Sequence, residues 1–277
     1  MKTGIYIANF ALDGNPQKFV ELAQAAEESG WDGFFLWDHI YPEGGASKKV
    51  ADPWIILAAI AANTEKMNIG TAVTPLPRRR PQKVARETVS LDILSGGRLV
   101  LGVGLGHPPE NEFECFGEES DVHIRAEKLD ESLEILEGLW SGKPFSYDGK
   151  HYHIEEITFK PCPVQQPRIP IWCASWFSRK APVKRAARYD GVFPIGHDER
   201  MSPADFQEIF HYVNRHRTEE TPFDMIMMGQ RSGREDNSTW IEDYSDAGVT
   251  WYLEMVMEQD LENTLGKVGK GPPSVET

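Results

Sequence analysis

Apolar and polar positions along this chain predict strands and helices in regular succession. Residues 68–73 form a short apolar, β-branched run, which Thr74-Pro75 ends. Apolar residues at helical spacing follow from Pro81, until Gly96-Gly97 stops the helix. Residues 98–103 are a second apolar run. A strand, a crossover helix and a second buried strand make a parallel βαβ unit, so the loops after both strands lie at one end of the sheet.

The same succession extends through the whole chain. The pattern predicts strands at 4–8, 33–37, 68–73, 98–103, 169–174, 191–195, 224–228 and 249–255, with helices between them. Eight βα units predict a single (β/α)₈ TIM barrel, one α/β domain spanning residues 1–277. A doubly wound open sheet would need a shorter chain or an extra layer. Residues 141–170 break the succession, because their prolines and short alternating runs predict an inserted hairpin and extended loop before strand five.

Composition narrows the classes of partner. The formal charge of −14 opposes binding to nucleic acid or to an anionic membrane surface. Cys115, Cys162 and Cys173 are an odd set without C-x-x-C spacing, which indicates neither a disulfide framework nor a structural zinc site. The N-terminus enters a strand directly, and no later run has membrane length, so a cytoplasmic protein is the expectation.

Asp38 and His39 are the sharpest candidates for chemistry, because function in a barrel lies on the loops that follow the strands. The pair follows strand two, where an imidazole beside a carboxylate can donate to a ligand or shuttle a proton. The alternative is an aspartate that caps the loop, with the histidine packed beneath it. His107 and His197 also lie on such loops, whereas the other five histidines fall on helices or the hairpin.

The loop after strand four is rich in glycine. Gly104 and Gly106 would let the backbone approach a flat ligand, but His107 breaks the G-x-G-x-x-G register of a dinucleotide fingerprint. Asn111, just beyond, could donate to such a ligand or cap the loop. The arginines at 78–80 could attract an anionic cofactor, although a solvated loop with an anchoring role accounts better for at least two of them.

The loop after strand five offers a phosphate site. Ala174, Ser175 and Trp176 precede a helix whose N-terminal amides could bind a phosphate, although capping by a serine would explain the same pattern. A metal-dependent hydrolase of this fold would carry H-x-H after strand one, where this chain has Ala8-Asn9-Phe10. This difference predicts no metal site. The apolar, tryptophan-rich mouth favours a flat aromatic ligand instead.

Several motifs together resemble the luciferase-like flavin monooxygenase superfamily, including its deazaflavin F420-dependent branch. They are L-W-D-H at 36–39, G-T-A-V-T-P at 70–75, L-D-I-L-S-G-G-R at 91–98, L-G-V-G-L-G at 101–106, the insertion at 149–172 and A-G-V-T-W-Y-L-E at 247–254. The resemblance implies a barrel that holds F420 or FMN at its mouth. It also implies an oxidoreductase, either a monooxygenase or a dehydrogenase, acting on a small apolar organic substrate.

The resemblance also implies roles for particular residues. In such proteins a bulge with a non-proline cis peptide after strand three supports the cofactor ring, and Ala72-Val73 is the matching position. Thr74, the next residue, is a further candidate for binding the cofactor. Asp38 and His39 match residues that contact the deazaflavin, the histidine assisting hydride transfer. Residues 174–176 match the loop that binds the cofactor phosphate.

Other implications of the resemblance concern substrate and partners. His107 replaces an acid of the related sugar dehydrogenases, and Trp176 is bulky where their loop has glycine, which argues against a sugar-phosphate substrate. Homodimers are common among the relatives, and a separate flavin reductase remains an open partner. The first alternative function is a non-catalytic flavin-binding barrel. A metal-dependent hydrolase is the second alternative.

Overall fold

The structure is a computed structural model that describes residues 1–176, 180–195, 201–230, 239–257 and 259–273. Eight parallel strands close into a barrel in which β1 pairs with both β2 and the last strand, β10. The barrel strands are β1 Lys2–Ile7, β2 Gly33–Leu36, β3 Asn68–Pro75, β4 Leu99–Gly104, β7 Ile171–Trp176, β8 Gly191–Ile195, β9 Asp224–Gly229 and β10 Trp251–Val256. The predicted (β/α)₈ barrel is confirmed, with β7 as its fifth strand.

Helices surround the barrel, and the chain marks where several of them begin. They are α1 Pro16–Glu28, α2 Pro53–Asn63, α3 Pro81–Ser95, α4 Pro109–Glu112, α5 Val122–Trp140, α6 Lys180–Ala186, α7 Pro203–His216, α8 Thr239–Asp246 and α9 Leu261–Val268. The side chains of Asn15, Asp52 and Asp121 accept backbone N–H groups in the first turns of α1, α2 and α5. These caps pair donors that the helix itself leaves open, which fixes each starting point.

The predicted excursion is an antiparallel hairpin of β5 Pro144–Asp148 and β6 His153–Thr158. Its turn is attached to α5 by Glu131, whose carboxylate accepts the backbone N–H groups of Lys150, His151 and Tyr152. The chain then enters β7, which pairs directly with β4. The insertion therefore lies outside the barrel and leaves its parallel order intact.

Two separate apolar cores form, one between barrel and helices and one inside the barrel. Large aromatic side chains fill the inside, where the ring centroids of Phe35 and Trp172 lie 4.9 Å apart and those of Trp172 and Trp251 lie 5.3 Å apart. The interior is thus packed rather than open, as in other barrels of this type. Among the described residues, this packed layer leaves room for a ligand above it, at the mouth of the barrel.

Strand β3 corrects one prediction. The predicted stop at Thr74-Pro75 is wrong, because these two residues pair with Val103 and Gly104 of β4. Three steps along β3, from Thr71 to Thr74, match two steps along β4, so one residue bulges out of the ladder. The strand therefore continues beyond the residues that its apolar pattern identifies.

Within the part of the chain described, no helix is both long enough and apolar enough to cross a membrane.

Cys173 on β7 gives a first testable expectation. Burial raises the pKa of its thiol to about 12, and the side chain is 1% exposed. At pH 8 we expect Cys173 to resist alkylation in the folded protein, because its thiolate is nearly absent and inaccessible. Cys115 is exposed and should react, which makes it the internal control. Mass spectrometry after timed alkylation measures both, and modification of Cys173 at the rate of Cys115 would contradict the expectation.

Candidate functional site

A pocket of about 530 Å³ lies at the carboxyl ends of the barrel strands. Its floor and walls are mostly apolar and come from several strands and the loops that follow them. They include Tyr6, Phe10, Trp37, Val73, Trp176, Ile195, Met228 and Met255. Pockets of this size and character bind cofactors and small organic molecules. Of the predicted site residues, Asp38, His39, Ala72, Val73, Gly104, Gly106, Ala174, Ser175 and Trp176 line it together.

Asp38 is buried, 4% exposed, and its carboxylate is fully engaged by neighbouring side chains. The Nη2 atoms of Arg78 and Arg79 each lie 2.8 Å from one of its oxygens, and the Thr74 hydroxyl donates to it at 2.9 Å. Asp38 thus holds the loops after β2 and β3 together. This is the structural role that the sequence analysis gave as its alternative, and two ion pairs with arginines add to it. Contact of Asp38 with a cofactor stays a prediction.

The arginines after β3 differ from the sequence interpretation in one respect. Arg78 and Arg79 do anchor the loop, but they are not solvated, since their side chains are 3% and 18% exposed. Their partners, Asp38 and Glu112, come from distant parts of the chain, so neither charge was recognisable as buried from local sequence. Arg80 alone of the three is exposed.

His39 is held from several directions. Its Nδ1 lies 2.8 Å from Oε1 of Glu112, and its backbone carbonyl and amide both bond to the buried amide side chain of Asn9. Its ring meets those of Phe10 and Trp37 at centroid separations of 5.7 Å. The side chain is still 20% exposed and lines the pocket. This arrangement leaves Nε2 as the ring nitrogen available to a ligand.

Glu112 is a residue of the pocket lining that the sequence analysis missed. It lies on the short helix α4, is 1% exposed, and bonds through Oε2 to the Ile40 amide at 3.2 Å and to the Arg78 guanidinium. Burial alone would raise the pKa of this carboxyl. The hydrogen bond to His39, the charge of Arg78 and the Ile40 amide outweigh that effect and lower the pKa below its ordinary value.

The lowered pKa of Glu112 predicts a pH-dependent contribution to stability. A carboxyl whose pKa is lower in the folded state stabilises the protein above its unfolded pKa, and that contribution is lost as the pH falls through the folded pKa. We expect the difference in unfolding free energy between wild type and Glu112→Gln to be largest near neutral pH and to shrink below about pH 4. Urea titrations at pH 7, 4 and 3 measure it. A difference that stays constant over this range would contradict the assignment.

Ala72 and Val73 form the bulge of β3, and the peptide bond between them is cis, as the family resemblance implied. Both residues line the pocket. Gly104 lies across from them, and a Cβ there would come within 2.7 Å of the Val73 side chain. Gly106 has φ +85°, and a Cβ there would lie 2.7 Å from the Phe113 ring. These glycines are therefore required by packing and backbone conformation as well as by any approach of a ligand.

Two predicted cofactor-binding residues lie outside the pocket lining. Thr74 is fully buried, and its hydroxyl bonds to Asp38 and to the Thr71 hydroxyl. Asn111 lies on α4, where its carbonyl accepts a hydrogen bond from Cys115. Their contact with a cofactor stays a prediction, and the structure places both next to residues that do line the pocket.

The end of β7 supplies polar groups to the same pocket. Ser175 is 3% exposed, and its hydroxyl has no hydrogen-bond partner among the described residues. Arg185 of α6 also lines the pocket while it pairs with Asp130, Nη2 to Oδ2 at 3.0 Å. Residues 177–179, which follow the predicted phosphate loop, and His197 lie outside the described residues. Within the described ranges, no cluster of three or more His, Cys, Asp or Glu side chains could hold a metal ion.

Comparison with known proteins gives the family. The family model described as luciferase-like monooxygenase matches residues 1–262. An F420-dependent glucose-6-phosphate dehydrogenase of Microbacterium testaceum is 33% identical over 200 residues, which cover 68% of this chain and 57% of the dehydrogenase. The chain spans about half the length of the curated dehydrogenases that it matches, since the share is 48% for that of Gordonia bronchialis.

Solved structures share the fold at low sequence identity. An F420-dependent secondary alcohol dehydrogenase in complex with an F420–acetone adduct is 17% identical, with a TM-score of 0.81 over 100% of this chain and 99% of that one. The oxygenating constituent of 3,6-diketocamphane monooxygenase of Pseudomonas putida, in complex with FMN, is 17% identical, with a TM-score of 0.63 over 83% and 67%. Because the family model covers nearly the entire sequence, the chain belongs to the luciferase-like monooxygenase family.

Proposed function

We propose that this chain is an oxidoreductase that exchanges a hydride with F420, or with FMN, bound in the pocket at the barrel mouth. One observation carries the proposal: the His39 imidazole lies in the same apolar pocket as the Ala72-Val73 bulge, with Nδ1 engaged by Glu112 and Nε2 left for a ligand. Family membership and the F420-dependent relatives support the same chemistry.

The residues present fit a flat ring with an anionic tail. Val73, Tyr6 and Trp37 offer apolar surface for a ring. The buried Ser175 hydroxyl, which has no partner in the described part of the chain, would gain one from a phosphate group. Arg185 adds a positive charge to the lining of the pocket. A flavin or deazaflavin meets these requirements, whereas a purely apolar ligand would leave Ser175 unpaired.

When bound, the cofactor supplies or accepts the hydride, and the protein supplies the rest. Ala72 and Val73 would support the ring from behind. Ile195, Met228 and Met255 add apolar lining that would suit a small organic substrate and keep water away. His39 would take up or return the proton that accompanies the hydride, at Nε2.

F420 is the cofactor that we favour. A deazaflavin passes electrons in pairs as hydride, and a positioned imidazole provides the proton that such a step requires. FMN would also suit the pocket, in which case the enzyme would be a monooxygenase supplied by a separate flavin reductase. The similar proteins include F420-dependent dehydrogenases and a monooxygenase in complex with FMN, so the choice rests on His39 and on the F420-dependent relatives.

Turnover with a panel of substrates tests the proposal. The purified chain, loaded with F420 or with FMN, is mixed with small apolar alcohols, ketones and alkanes, and cofactor oxidation state is followed by absorbance. We expect turnover of at least one class of substrate. Cofactor binding with no turnover across the panel would favour a non-catalytic flavin-binding barrel, and the absence of binding would reject both functions.

Two further expectations concern the whole molecule. We propose a homodimer, as the family resemblance implies, and a cytoplasmic location. Sedimentation equilibrium of the purified chain tests the first, and cell fractionation tests the second. A monomer at micromolar concentration would reject the dimer without affecting the site, because the residues described above all come from one chain.

A further inference from the structure

The hydrogen bonds around Glu112 determine which atom of His39 carries the proton. The Ile40 amide and the Arg78 guanidinium both approach Oε2, and each of them can only donate. Oε1 is the oxygen that remains, 2.8 Å from His39 Nδ1. An ionised carboxylate can only accept, so Nδ1 must carry a hydrogen. Neutral His39 then has its lone pair on Nε2, the ring nitrogen left for a ligand.

We propose that Glu112 is a positioning residue that fixes His39 as the Nδ1–H tautomer, so that Nε2 acts as the proton acceptor in the pocket. The link to the Arg78–Asp38 ion pair makes this orientation rigid, because Arg78 bonds to Glu112 and to both the carboxylate and the carbonyl of Asp38. Its catalytic consequence rests on the proposed function, whereas the tautomer does not. A histidine in the wrong tautomer keeps its geometry and loses its function as a base.

Glu112→Gln should reverse the tautomer while preserving size and shape. The Ile40 amide and Arg78 would still require an acceptor, so the glutamine oxygen takes the position of Oε2. Its NH₂ group then faces His39 Nδ1, which must accept, and the imidazole hydrogen moves to Nε2. His39 Nε2 would then present a hydrogen-bond donor to the pocket instead of an acceptor. Glu110→Gln, on the same helix and exposed, is the matched control.

Among the described residues, the other ionisable groups around the imidazole do not impose this choice. Asp38, Arg78 and Arg79 are paired with one another, and Glu43, Lys48 and His107 line the same pocket from the loops after β2 and β4. The observed hydrogen bond of the His39 ring to a charged partner is the one to Glu112. A change of tautomer confined to Glu112→Gln would therefore identify its cause.

Nitrogen NMR of the full chain labelled with ¹⁵N-histidine, without added cofactor and at pH 8, tests the tautomer directly. His39→Ala assigns the signals by their loss. We expect Nδ1–H in wild type and in Glu110→Gln, and Nε2–H in Glu112→Gln. Nε2–H in wild type, or an unchanged tautomer in Glu112→Gln, would overturn the inference. The wild-type spectrum decides the first point even if the variant fails to fold.

Stopped-flow kinetics with loaded enzyme then tests the catalytic half. Glu112→Gln should slow the hydride step at least roughly tenfold, Glu110→Gln should not, and adding Glu112→Gln to His39→Ala should cost nothing further. A reversed tautomer with an unchanged rate would reject the catalytic role of Glu112. The expected tautomers with no turnover by any variant, wild type included, would reject the proposed function and leave the assignment of Glu112 intact.

Discussion

Replacing His39 by alanine should slow oxidation or reduction of the bound cofactor by roughly 10²-fold or more, the usual contribution of a positioned acid or base. The imidazole is held at the pocket by Asn9 through its backbone and by Glu112 through Nδ1, so its position is built into the fold. Cofactor affinity should change less, because Ala72 and Val73 still line the pocket. Stopped-flow absorbance measures the rate, and equilibrium titration measures the affinity.

The control for this variant is His153→Ala. His153 lies on the hairpin with its side chain 68% exposed, and it should leave the rate unchanged. A His39→Ala enzyme that turns over at the wild-type rate would show that His39 is only structural. A variant that loses cofactor binding altogether would instead make His39 part of the binding surface.

Arg78→Met should destabilise the protein by about 3–5 kcal/mol, the cost of removing one partner from a buried ion pair. Arg78 is the charge shared by Asp38 and Glu112, both almost fully buried. Without it, two carboxylates would remain close together in a poorly solvated site. Urea denaturation at pH 7 measures the loss in unfolding free energy.

Arg80→Met is the matched control, since Arg80 is the adjacent exposed arginine and surface substitutions usually change stability by no more than about 0.5 kcal/mol. Arg78→Lys should rescue only part of the loss, because a single ammonium group lacks the planar fork that reaches both carboxylates. If Arg78→Met cost no more than Arg80→Met, the ion-pair network would not be what holds these loops.

Periodicity and helix signals were sufficient to predict the barrel. Runs of buried residues in β2 and β8 and the caps at Asn15 and Asp52 act within a few residues of their own position, so the local pattern contains them. The bulge in β3 shows the limit of prediction from local patterns. Thr74 and Pro75 look like a strand end, and only pairing with β4 makes them part of the strand.

The site was predicted only in part, because some of its residues follow a local pattern and others depend on distant partners. His39 follows a recognisable strand, so its place at the mouth could be inferred. Glu112 could not be found that way. The prolines at 108 and 109 make the short helix α4 hard to recognise in the sequence, and the partner of Glu112, His39, is 73 positions away. The burial of Arg78 likewise depends on a carboxylate 34 positions away. A local pattern carries no information about such pairs.

The measurement that tests the central claim most directly is equilibrium titration of F420 and FMN against wild type and Ala174→Trp. Ala174 lines the pocket, and a tryptophan there would occupy space that the cofactor needs. We expect F420 to bind wild type at least as tightly as FMN, and both to bind Ala174→Trp at least roughly tenfold more weakly. FMN binding far more tightly would contradict the choice of F420. Failure of both cofactors to bind wild type, or equal binding to the filled pocket, would contradict a cofactor site at the barrel mouth.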